Sequence, residues 1–145
     1  MREAKSGERK ALQHSIGIKT KAQVELLDIT REVRSVVESS GIPSGICYLF
    51  VPHTTAGIMV NEGADPSVAQ DITSQLHALV PQHNRYRHGE GNSPAHIKTT
   101  LVGSSETLLV EGGRLVLGTW QAVFFCEFDG PRSRTLLVRL MADKG

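Results

Sequence analysis

Cysteine is scarce in this chain: two occur in 145 residues, Cys47 in "GICYLFV" and Cys126 in "AVFFCEF". Both sit inside apolar runs and no CxxC pair exists, so the expectation for each is a buried, reduced thiol rather than a disulfide or a metal ligand. Long hydrophobic runs are missing as well, and none approaches the roughly 20 residues needed to span a bilayer. The opening "MREAKSGERKA" is charged and has no apolar stretch behind it, so it does not read as a secretory signal, and the cytoplasm is the expected location. Neither sign of charge dominates. A formal net charge of +1 removes any global electrostatic case for nucleic acid or anionic membranes as partners. No repeat, low-complexity block or linker divides the chain. With 39% hydrophobic and 21% charged residues it reads as one globular domain, with residues 1–11 as a flexible N-terminal segment.

What is present alternates between short strands and capped helices. "LQHSIGIKT" and "AQVELLDI" flank a polar break at Lys19 to Lys21 and suggest a first hairpin. Thr30 is placed to cap a helix whose stripe is Val33, Val36 and Val37, with Gly41 as its stop. "GICYLFV" predicts a central strand buried on both faces, and Ile58 to Val60 a second inner strand. Asp65-Pro66 is a cap followed by proline at the first helical position. Ala69, Ile72, Leu76, Leu79 and Val80 mark that helix's inner face, and Pro81 closes it. Ser93-Pro94 repeats the signal for a short helix ending near Gly103. Gly112-Gly113 predicts a tight hairpin. "TWQAVFFCEF" alternates, and "DGPR" predicts a turn into "TLLVRLM" as another hairpin. Helices inserted among strand pairs indicate α+β, with mostly antiparallel or mixed sheets, two main helices and one short one.

Four polar clusters interrupt these apolar elements. They are His53-Thr54-Thr55 after the buried strand, Asn61-Glu62 before the Asp65 cap, the stretch "RHGEGNSPAHI", and Gln121 with Glu127 followed by Arg132 and Arg134. His88 and His96 stand eight residues apart, and the intervening glycines and proline argue against a strand. A loop folding back on the start of its own helix brings the two imidazoles together. With His53 they make three nitrogen donors and leave a fourth position open, the arrangement catalytic zinc prefers. Spacing alone weighs this evenly against a polar turn whose histidines satisfy backbone groups. Glu62 or Glu90 is placed to orient a ligand or act as acid/base. Thr54, Thr55, Arg132, Arg134 and the free amides at Ser93 are the candidate contacts for an anionic substrate. Glu127, costly if buried alone, is expected to pair with an arginine across "DGPR".

Three linked stretches, "HTTAGIMVNEGADPSVAQDI", "HGEGNSPAHIKTTLVGSS" and "GGRLVLGTWQAVFFCEFDGPRSR", closely resemble the YjbQ-like family, also named the secondary thiamine-phosphate synthase enzyme family. The resemblance spans nearly the whole chain. It implies a compact α+β subunit assembling as a homotrimer, with a polar pocket near the subunit interface. It implies His53, His88 and His96 as motif histidines for a metal. Asn61, Glu62, Asn92, Gln121 and Arg132 are implied as motif polar positions. The activity it implies is thiamine phosphate synthesis, in which a thiazole phosphate displaces pyrophosphate from a hydroxymethylpyrimidine diphosphate. That chemistry calls for a divalent cation. Three histidines favour zinc, magnesium being the alternative that diphosphate chemistry suggests. A non-catalytic trimeric protein binding a metal or small molecule in the same pocket is the alternative reading. A carboxylate beside an open coordination position favours the enzyme.

Overall fold

The computed structural model describes residues 12–144, so the expected flexible segment 1–11 lies outside the described residues. Eight strands are present among them: β1 (Gln13–Lys19), β2 (Glu25–Asp28), β3 (Ser44–Phe50), β4 (Ala56–Glu62), β5 (Ser105–Glu111), β6 (Arg114–Leu115), β7 (Gln121–Glu127) and β8 (Ser133–Ala142). Three helices join them: α1 (Thr30–Ser40), α2 (Pro66–Leu79) and α3 (Ser93–Val102). The strands make a five-stranded sheet, order β1-β8-β3-β5-β6, and a three-stranded sheet, order β2-β7-β4, with every pairing antiparallel. The chain is an α+β domain, and no described helix is long and apolar enough to cross a membrane.

Strand β7 explains the layering. Its alternation sends Val123 and Phe125 into a core shared with Cys47, Leu49, Leu136, Val138 and Leu140 of the larger sheet. The opposite residues, Ala122, Phe124 and Cys126, form a second core with Phe128 and Ala95 of α3, flanked by Leu76 of α2. Both faces of β7 are therefore buried, while α1 adds Val33 and Val37 to the first core. Both cysteines are free and buried, and burial pushes each thiol up to about 12.

Turn signals were placed correctly, but two expected hairpins do not form. β1 pairs with β8 and β2 with β7, so the chain changes sheets at Lys19–Lys21. It changes sheets again at 129–132, between β7 and β8. The two crossings lie against each other, with Thr20 N–H donating to the Arg132 carbonyl and Gly130 N–H to the Gln23 carbonyl, each at 2.9 Å. Strand β3 is central in its sheet but buries one face only, leaving Tyr48 and Phe50 exposed. β4 is an edge strand rather than an inner one. The Gly112-Gly113 hairpin forms as expected, both glycines having positive φ.

Helix ends divide in the same way. Asp65 Oδ1 accepts from Ser67 N–H at 2.9 Å, the expected cap. Gly41 at φ 75° stops α1. Thr30, however, is the first helical residue and caps nothing; its hydroxyl donates to Asp28 and accepts from Val123 N–H. The cap of α3 is Asn92 rather than Ser93, without a side-chain bond to the helix. On α2 the expected face is only half-covered: Ala69, Ile72 and Leu76 are partly buried and Leu79 is exposed.

Candidate active site

A cavity of about 660 Å³ opens where β3 runs into the 51–55 loop. His53, Thr54 and Thr55 line it, together with His88, Glu90, Asn92 and His96 of the 87–97 stretch and Asp129, Arg132 and Arg134 of the second crossing. Two of the four clusters picked out in the sequence thus converge, joined by the arginines of a third. Backbone packing makes the convergence possible. The end of α3 lies on β4, where Gly103 accepts from Ile58 N–H at 3.1 Å, and a Cβ on Gly57 would stand 2.5 Å from that same carbonyl. At the other end of α3, Asn92 Nδ2 donates to Asp129 Oδ2 at 2.8 Å and so ties the histidine stretch to the crossing.

The loop does fold back on its helix. His88 and His96 meet with ring centroids 5.3 Å apart and planes at 88°. Two imidazoles on one tetrahedral ion at Zn–N of roughly 2.0–2.1 Å have ring centres about 5 Å apart, so this pair fits a shared ion. His88 Nε2 also lies 3.6 Å from Glu90 Oε1.

His53 fits less well as the third ligand. Its Nε2 accepts from Thr135 N–H at 2.9 Å, which requires a lone pair there and puts the proton of the neutral ring on Nδ1. A metal reaching His53 must then replace either that proton or that hydrogen bond. Burial first, and the nearby Arg134 charge second, lower the His53 pKa, so the neutral ring is favoured. In this state His53 offers the pocket an N–H donor. Among the described residues no group of three histidine, cysteine or acidic side chains is preassembled around one point.

Beneath the pocket lies an ion pair joining the two sheets. Arg134 donates through Nε to Glu127 Oε1 at 2.8 Å and through its terminal nitrogen to Oε2, and it also donates to Thr55 Oγ1 at 2.8 Å. Thr20 Oγ1 and Asp129 N–H complete the shell of Glu127, which is fully buried. Burial works to raise the Glu127 carboxyl. The hydrogen bonds from Arg134, Asp129 and Thr20, with the Arg134 charge, outweigh it and hold the group below the usual carboxylate range. The expected partner is therefore an arginine, but one reaching between sheets rather than across a hairpin. Arg134 and Thr55 are engaged in this network, so Arg132 is the guanidinium open to a substrate. It is exposed and held by Asp129 through the backbone carbonyl at 2.7 Å and through Oδ2 at 3.1 Å.

Asn61-Glu62 and Gln121 lie elsewhere. Glu62 is in register with Gln121 at the far end of the smaller sheet, whereas Ala56, in register with Glu127, is at the pocket end. Six residues of strand separate these ends, about 20 Å at roughly 3.3 Å per residue. Asn61 Oδ1 accepts from Glu62 N–H and Gln121 Oε1 from Gly118 N–H, both at 2.7 Å. Within one chain Asn61, Glu62 and Gln121 do not reach the histidines. Asp129 joins the site unannounced, since "DGPR" reads only as a turn. Lys98, two residues beyond His96, is also buried, and burial lowers its pKa.

A family model described as "UPF0047 protein YjbQ-like" matches residues 14–143. The UPF0047 protein YugU of Bacillus subtilis is 48% identical over 128 residues, covering 88% of this chain and 97% of the relative. A UPF0047 protein of Methanocaldococcus jannaschii is 50% identical over 127 residues, covering 88% and 92%. Among solved structures, an uncharacterized YjbQ/UPF0047 protein of Clostridium acetobutylicum superposes with a TM-score of 0.86 at 46% identity, covering 88% of this chain and 99% of that one. A YbjQ-like protein of unknown function from Sulfolobus solfataricus gives 0.86 at 36% identity, covering 90% and 96%.

Proposed function

From the premise that the chain belongs to the UPF0047 YjbQ-like family, we propose that the histidine pocket is the active site of a metal-dependent enzyme acting on a small phosphorylated substrate. Thiamine phosphate synthesis is the reaction put forward. The observation that carries this reading is the convergence of His53, His88 and His96 with Glu90, Asn92 and Arg132 on one cavity. His88 and His96 would hold the ion, and nitrogen donors favour zinc over magnesium. When bound it would offset charge on a diphosphate oxygen as a Lewis acid.

The chain's own groups divide the remaining work. Arg132, steadied by Asp129, is set to contact the leaving pyrophosphate with charge-assisted hydrogen bonds. His53 presents an Nδ1–H donor to an oxygen of the same substrate. Glu90, beside His88 rather than at the far sheet end, is the acid/base favoured over Glu62.

Homotrimer formation is part of the proposal. The outer face of the larger sheet exposes Tyr48, Phe50, Leu109 and Met141, and a face of that kind suits association between copies. Phe50 belongs to this face and to the pocket lining, so a neighbouring copy would border the site.

The test supplies both substrates with zinc and follows formation of thiamine phosphate and pyrophosphate. Turnover in the wild type and its loss in Glu90→Gln, with metal content unchanged, are the expected results. Stoichiometric metal with no turnover would instead favour the non-catalytic binding protein.

A further inference from the structure

A second, smaller cavity of about 260 Å³ adjoins the histidine pocket and shares Glu90, Asn92 and Asp129 with it. Its remaining wall includes Gln82, Pro94, Phe128 and Lys98. Lys98 keeps only 3% of its surface exposed. A lysine this buried ordinarily has an acidic partner. Among the described residues it has neither an ion pair nor a hydrogen bond.

Of the carboxylates on the same wall, Asp129 accepts through Oδ2 from Asn92 and Arg132 and Glu90 lies against His88; neither pairs with Lys98. Asn92 also keeps its Oδ1 buried without a donor. The alternative amide orientation would turn that oxygen toward the Asp129 carboxylate, so the unmet acceptor is real. The wall thus holds an ammonium that has no acceptor among the described residues and opens to the cavity, and one buried acceptor lacking a donor. A singly protonated phosphate offers both. At about 30 Å³ per water the space holds roughly nine waters, ample for such a group.

We propose that this cavity is an anion subsite in which Lys98 binds the phosphate or carboxylate end of a small substrate whose other end lies in the histidine pocket. The second half rests on the reading of that pocket as the reaction site; the anion site itself does not.

The experiment titrates inorganic phosphate, and separately acetate, into full-length, chelator-treated protein and measures heat of binding. Wild type is expected to bind phosphate, with Lys98→Met weakening it at least tenfold, Lys98→Arg less than threefold, and His88→Ala leaving it unchanged. Tighter binding of acetate than phosphate would identify a carboxylate as the group recognised. Equal phosphate affinity in wild type and Lys98→Met, no binding of either anion by wild type, or a loss confined to His88→Ala would overturn the proposal. Should Lys98→Met fail to fold, the Lys98 13Cε resonance in wild type takes its place: a shift with phosphate but not with chloride at equal ionic strength is expected, and no shift overturns it. Zinc loading and turnover, measured on the same proteins, report separately on the histidine pocket.

Discussion

At the residue scale, the site depends on which atoms are already engaged. His88 and His96 have a spacing that suits a shared ion, while His53 Nε2 is held by Thr135. His88→Ala and His96→Ala should each weaken zinc binding by more than the roughly 10–100-fold that loss of an outer-shell partner costs, and His53→Ala by less than about threefold, as measured by competition with a chromophoric chelator. An equal loss in all three variants would restore His53 as the third ligand. Arg134 allows a second prediction. Its loss leaves Glu127 buried and uncompensated, so Arg134→Met should destabilise the fold by about 3–5 kcal/mol. The pH dependence carries a sign. In the wild type the Glu127 pKa is below its unfolded value of about 4.3, so its stabilisation is fully present above that pH and is lost as pH falls through the folded pKa. In Arg134→Met, burial is opposed only by the hydrogen bonds from Asp129 N–H and Thr20, so the folded pKa rises relative to wild type and the penalty at neutral pH is relieved on acidification. The gap in thermal midpoint between wild type and variant should therefore narrow from pH 7 to pH 4, at fixed protein concentration. A gap that fails to narrow would mean that Arg134 is not what keeps the Glu127 carboxyl ionised.

At the element scale, what the sequence revealed depended on range. Asp65 caps α2 and Gly41 stops α1 because those signals act within a few residues. "RHGEGNSPAHI" likewise showed a loop returning to its own helix, and the two imidazoles do meet. The hairpins expected about Lys19–Lys21 and "DGPR" fail because a turn signal says that the chain reverses but not which sheet receives it. Glu62 is separated from His53 within the chain for a related reason: it follows His53 closely in sequence, but the extended strand β4 carries it to the opposite end of the sheet. Asp129 was missed because its partners, Asn92 and Arg132, are gathered only by the crossing. The seat of α3 on β4 can be tested directly. A methyl on Gly57 meets backbone at 2.5 Å, and neither strand nor helix end can yield cheaply. Gly57→Ala should lower stability by about 1–3 kcal/mol in urea unfolding. A change below about 0.5 kcal/mol would show that α3, and His96 with it, is free to slide.

At the scale of the whole molecule, the unequal treatment of the two sheets is decisive. The smaller sheet is covered on both faces, by the larger sheet and by α2 and α3, whereas the larger sheet is covered on one. Its outer face places Ile46 between Leu109 and Met141, and Phe50 beside Leu137, so the apolar residues form cross-strand rows rather than isolated points. Leu109 is 54% exposed and Met141 52%, and Thr107, Tyr48 and Arg139 form the row between the two apolar ones. A carboxylate placed in the Leu109–Ile46–Met141 row opposes burial of that row against another copy but is harmless to the core beneath, since Leu109 points away from it. For the proposed homotrimer, Leu109→Asp should therefore convert a particle of about three times 15.8 kDa into one of that single mass by light scattering, with thermal unfolding still cooperative. Because His88 and His96 belong to one chain, the monomer should still bind zinc. An unchanged mass would remove this face from the interface, and loss of zinc along with the trimer would mean that a neighbouring copy supplies part of the site.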